Sequence, residues 1–179
     1  MKTIPPLKTI FPVYALIVFL TYGWSLAVTF WKLPSWLLYM TLGDIAVAFC
    51  YIFTFNFVES LIVLLGLVGL SLLLPARFLR ERFTERGAVL TLFLAGSAML
   101  HLGLYANADL REDFIISLPI WWGATLALTM IGLGLSARFK WLEKALANLA
   151  DRTIVFLYIF LPLTLIALLV IIVRNIMFV

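Results

Sequence analysis

Cysteine and histidine are almost missing: 179 residues contain one of each, Cys50 and His101. A lone thiol excludes an internal disulfide framework and a zinc site built from several thiolates. A lone imidazole excludes a haem held by two histidines of this chain. Charge is scarce too, at 12% Asp, Glu, Lys and Arg, about half of the roughly 25% found in soluble domains. No H-E-x-x-H, G-x-S-x-G, C-x-x-C or G-x-x-x-x-G-K-[ST] pattern occurs, so the local signatures of metalloproteases, serine hydrolases, thiol redox centres and phosphate loops are lacking. Basic residues are not interleaved with aromatics in the manner of a nucleic-acid surface. These absences leave no catalytic residue, metal or cofactor to nominate, and they weigh against an enzyme and against a nucleic-acid partner.

Apolar residues are what the chain has: 65% of it, against about 45–50% in a soluble domain. Mean hydropathy is +1.14. The expected fold class is all-α, a polytopic integral membrane helical bundle forming one transmembrane domain. A bilayer core roughly 30 Å thick takes about 20 helical residues to cross. Apolar runs of that length predict spans near 9–31, 55–74, 88–105, 114–137 and 153–173. The first run follows Lys2 and Lys8, and Ser25 and Ala27 imitate a leader's cleavage site. The run continues through Trp31, however, with no polar region before that point, so a retained span is expected. Trp24, Trp31 and Trp36 suit the aromatic belt of a membrane interface.

The count of crossings turns on residues 33–75, an apolar stretch holding only two acids, Asp44 and Glu59. Lys and Arg gather in cytoplasmic loops. The basic regions are Lys2 and Lys8, then Arg77, Arg80, Arg82 and Arg86, then Arg138, Lys140, Lys144 and Arg152. The poor ones are the connection at Lys32 and the acidic turn of Asp109, Glu112 and Asp113 with Arg111. One crossing by 33–75 puts all three basic regions on one side; two crossings would misplace one. Five crossings are therefore expected, with a cytoplasmic amino terminus and an outer carboxyl terminus, in a prokaryotic plasma membrane. About 20 apolar residues are then left over. They predict, near 34–54, an outer interfacial helix or an extension of the crossing as one long tilted helix, rather than a re-entrant segment. Gly43 and Asp44 form a plausible break, because Gly is a poor helix former. Phe139, Leu142, Leu146 and Leu149 recur at helical spacing and predict a cytoplasmic amphipathic helix near 138–151. Pro162 removes the donor that would pair with the Tyr158 carbonyl of the last span.

A carboxylate in hydrocarbon costs about 2.5–3.5 kcal/mol on insertion scales, so Asp44 and Glu59 head the candidates for a site. Asn56 precedes Glu59 by three residues and shares its helical face. On one continuous helix Asp44 and Glu59 would lie about 60° apart. His101 falls about one turn inside the outer end of its span, a depth similar to that expected for Glu59, and Arg111 lies in the adjoining turn. Asp44, Asn56, Glu59, His101 and Arg111 thus form the candidate polar site of the outer half. The competing expectation is that both acids sit at the interface and pair with Lys32 and Arg111. Gly123 and Ala127, Thr125 and Thr129, and Gly132 and Ser136 are small pairs four apart, the spacing that lets membrane helices approach closely. The expected function is a non-catalytic membrane subunit or scaffold of a larger assembly, with membrane lipids and other membrane subunits as partners. A small transporter or ligand-binding component centred on Glu59 and His101 comes second. An enzyme acting on a lipid-linked substrate at the outer leaflet comes third.

Overall fold

The computed structural model describes residues 5–76, 78–105 and 111–177, with backbone alone at 111 and 112. Arg77, Asn107 and Asp109 lie outside the described residues, as do the side chains of Arg111 and Glu112. Six helices follow in order: α1 (Leu7–Trp36), α2 (Leu42–Leu73), α3 (Phe83–Tyr105), α4 (Arg111–Arg138), α5 (Lys140–Arg152) and α6 (Ile154–Met177). No strand occurs among the described residues. Five helices are long and apolar enough to cross a membrane: all but α5, each reaching beyond the run that predicts it.

At 33–75 the apolar excess extends the crossing as one long helix, and there is no separate interfacial helix over 34–54. Residues 34–36 close α1, and everything from Leu42 belongs to α2, which is 32 residues long, about 48 Å. The crossing expected at 55–74 is the second half of that one helix. Its start is set by a capping box. Thr41 Oγ1 accepts the Asp44 N–H at 3.2 Å, and the Asp44 carboxylate accepts the Thr41 N–H at 3.2 Å and its hydroxyl at 2.6 Å. Gly43 and Asp44 therefore open a helix rather than break one. Its end is set by Pro75, which holds Leu74 in extended backbone with ψ 152 and out of the helical region.

Helix α1 is the hub, packed against α2, α3, α5 and α6. Side-chain pairs fix the directions. Tyr22 meets Phe53 and Thr164, Phe30 meets Phe49, and Thr84 bonds to the Thr9 carbonyl. Helices α1, α3 and α6 thus run one way, and α2 and α4 the other. A core of Val13, Ile17, Leu67, Leu79, Phe83 and Leu90 ties α1, α2 and α3 together where α1 begins. The short α5 leans on this end through Leu146 and Ala150. Of the four residues expected on its apolar face, Leu142 and Leu146 are half-buried and Phe139 and Leu149 are exposed. Arg82 pairs with Glu143 at 2.8 Å, a half-exposed contact worth at most about 1 kcal/mol. Lys8, the Arg80 to Arg86 connection and the start of α5 therefore share one end of the bundle. Lys32, Asp44 and Arg174 mark the other.

This arrangement predicts a labelling pattern. On a Cys50→Ala background, an impermeant maleimide added to sealed vesicles should modify Lys8→Cys, Glu81→Cys and Lys140→Cys from one side. Ser35→Cys and Arg174→Cys should react from the other. Opposite sidedness of Lys8→Cys and Glu81→Cys would mean that α2 does not cross once.

Candidate functional site

Asp44, Asn56, Glu59 and His101 do not converge; the Arg111 side chain lies outside the described residues. Asp44 caps α2 at its outermost turn through one carboxylate oxygen. It shares with Arg174 a shallow groove of about 590 Å³ between α2 and α6, but the two form no ion pair. The remaining three residues divide between two places.

His101 turns toward α4. It is buried, its ring stacks on Phe114 at 4.6 Å and on Trp121 at 4.8 Å, and Tyr105 meets it edge-on at 5.2 Å. Its Nε2 lies 2.9 Å from Ser117 Oγ. A serine beside a histidine is the minimum for nucleophilic catalysis, but this hydroxyl donates to its own helix at the Phe114 carbonyl, 2.8 Å away. His101 is left as the donor to Ser117, the reverse of a general base. One turn nearer the basic end, Trp121 Nε1 donates to Ser97 Oγ at 2.8 Å, and Ser97 also bonds to Thr125. Trp121 is spent on helix packing. The small pairs divide in the same way. Thr125, Thr129, Gly132 and Ser136 are buried toward α3, while Gly123 and Ala127 are exposed. A Cβ at Gly132 would come within 2.8 Å of the Phe93 ring, so α3 and α4 touch there because glycine permits it. The α3/α4 seam is a satisfied polar interface.

Glu59 and Asn56 face α1. Asn56 is 4% exposed, and its Oδ1 accepts the Ser25 hydroxyl at 2.7 Å. Its Nδ2 is buried with no partner. Glu59, one turn on, is exposed on the wall of a groove of about 480 Å³. Helix α1 is the floor, α2 one wall and α3 the other. Floor residues Ile17, Thr21 and Ser25 lie opposite wall residues Gly66, Ala95 and Ala98. A second hollow of about 360 Å³, sharing Trp24 and Ser25 with the first, continues the floor through Val28 to Lys32 and Trp36. Positions 17, 21, 25, 28, 32 and 36 recur at three- and four-residue spacing, so they are one face of α1. Along that face Ile17 and Thr21 are buried, Ser25, Val28 and Trp36 half-buried and Lys32 exposed, and α3 lines only the part from Ile17 to Ser25.

Glu59 has no hydrogen bond and no ion pair among the described residues. The expected local pairing with Lys32 is not made. Glu59 lies 17 residues after Leu42 and 14 before Leu73, about 25 Å and 21 Å along the axis. The floor residues Thr21 and Ser25 escaped the reading of the sequence. Their only signal is a weak one, hydroxyls at helical spacing inside an apolar run. Comparison with models of protein families, with curated proteins and with solved structures found no match.

Proposed function

We propose that this chain is a non-catalytic integral membrane subunit of a larger membrane assembly, with its basic end in the cytoplasm and its carboxyl terminus outside. The orientation follows from the cations gathered at the basic end and the rule that such regions stay cytoplasmic. The observation that carries the subunit reading is the unpaired Glu59 at the middle of α2. A mid-span carboxylate is uncommon and usually pairs inside a protein interior. This one opens into a groove whose other surfaces are apolar or hydroxylic, so its complement must come from another molecule. The chain has no second-best partner of its own. Apart from Lys32, four residues from the end of α1, every Lys or Arg of the long helices lies in a first or last turn.

The same groove supports a second reading, a ligand-binding or transport component. The specific observation in its favour is the unpaired Glu59 carboxylate exposed on the groove wall.

Purification from native membranes in mild detergent tests the first reading. The wild-type chain should elute in a complex well above its own 20.3 kDa plus micelle. Glu59→Gln should keep its helical content but weaken that complex about 100-fold or more, because removing one partner of a buried charge pair costs about 3–5 kcal/mol. A wild-type chain that purifies alone as a monodisperse monomer contradicts the subunit reading.

A further inference from the structure

We infer that the groove along α1, between α2 and α3, is the seat of a single transmembrane helix from a different protein, and that this helix carries a lysine or arginine opposite Glu59. The inference rests on the subunit reading and names the partner's chemistry. Three observations separate this occupant from the others.

The first is shape. Two adjoining hollows follow α1 from Ile17 to Trp36, the first between α2 and α3 and the second against α2 alone, an elongated seat that suits a helix. The second is charge. Glu59 lies near the middle of the apolar α2 without a partner among the described residues, and its natural complement is a cation carried by a neighbouring helix. A second copy of this chain cannot bring one. Its mid-helix charge is Glu59 itself, and two such carboxylates would repel. The third is surface texture. Gly66, Ser25, Ala95 and Ala98 line the groove, and small residues of this kind let helix backbones approach closely in lipid. At Gly66 an added Cβ would meet nothing within 4 Å, so the space beside it is open. On the incoming helix, a lysine amine or guanidinium would donate to Glu59. The Ser25 hydroxyl is already committed to Asn56.

A photo-crosslinking residue at Leu102, an exposed wall position, tests this in the full chain expressed in its native membrane. The same residue at Leu126, exposed on α4, is the control. The Leu102 probe should capture one protein, through a membrane-spanning peptide that contains Lys or Arg. Glu59→Lys should lower that yield about tenfold or more, the like charges now meeting in lipid. Changing the captured cation to Glu should restore it. Capture at Leu126 alone, lipid adducts alone at Leu102, a captured helix without a basic residue, or failure of the charge swap would each overturn the inference. If the complex still has its full mass in those cases, the subunit reading stands without it.

Discussion

Replacing Tyr22 by alanine is expected to lower the stability of the bundle by about 3 kcal/mol, and replacing it by phenylalanine by about 1 kcal/mol. Tyr22 is 1% exposed and belongs to α1, yet it touches both α2 and α6. Its ring stacks on Phe160 at 4.7 Å and meets Phe53 edge-on at 5.6 Å. Its hydroxyl lies 2.7 Å from Thr164 Oγ1 and 3.2 Å from the Phe53 carbonyl. The Thr164 hydrogen is already given to the Phe160 carbonyl at 2.8 Å, so Tyr22 is the donor and shares one hydrogen between two acceptors. Alanine removes the ring and leaves a cavity at a three-helix junction. Because separated membrane helices rest in lipid rather than water, the water-transfer part of the usual core penalty drops out and the packing part remains. That places the expected value at the lower end of the range of about 3–5 kcal/mol seen for aromatic truncations in soluble cores. Phenylalanine keeps the ring and loses only the shared bond. Unfolding in mild detergent, followed by loss of helical signal, reads both. Equal effects of the two substitutions would mean that the ring's packing contributes nothing.

Nothing in the sequence singles out Tyr22, and the reason is physical. Helical periodicity tells which residues share a face, but not which neighbour that face will meet. The five helices long and apolar enough to cross a membrane were legible because hydrocarbon thickness constrains each apolar run separately. The start of α2 was legible too, as Thr41 followed three residues later by Asp44, but Gly43 between them reads more loudly as a break. The candidate site was legible one residue at a time. Glu59 stands out because charge in an apolar run is rare. Its expected association with His101 fails because residues 97 and 101 form the face of α3 turned to α4, while 95, 98 and 102 form the face turned to the groove. Those two faces differ by about 100° per residue step, and only the assembled bundle decides which one looks at α2.

Leu79→Ala is expected to cost about 2–5 kcal/mol, and Leu79→Asp to prevent folding of the segment between α2 and α3. By composition this segment is a charged loop, and a loop substitution ordinarily changes stability by less than about 0.5 kcal/mol. Leu79 is nevertheless 0% exposed and sits in one cluster with Val13, Ile17, Phe83, Leu90 and Leu133, drawn from α1, α3 and α4. Its neighbours hold the chain around it. Arg80 donates to the Ser71 carbonyl at 3.1 Å, satisfying the end of α2, and Arg86 donates to the Phe78 carbonyl. The arginines that set the orientation thus also fasten the turn that buries Leu79. Because this end of the bundle meets water, the transfer term counts here in full, unlike at Tyr22, and the penalty for alanine should be at least as large. An aspartate would place an unpaired charge among those side chains, for which no compensating cation is free within the cluster. The comparison that decides is Arg80→Ala, which removes one charged hydrogen bond and should cost about 1.5–3 kcal/mol. If Leu79→Asp is tolerated as well as Arg80→Ala, the connection is a solvated loop and the core at the basic end is not closed by it.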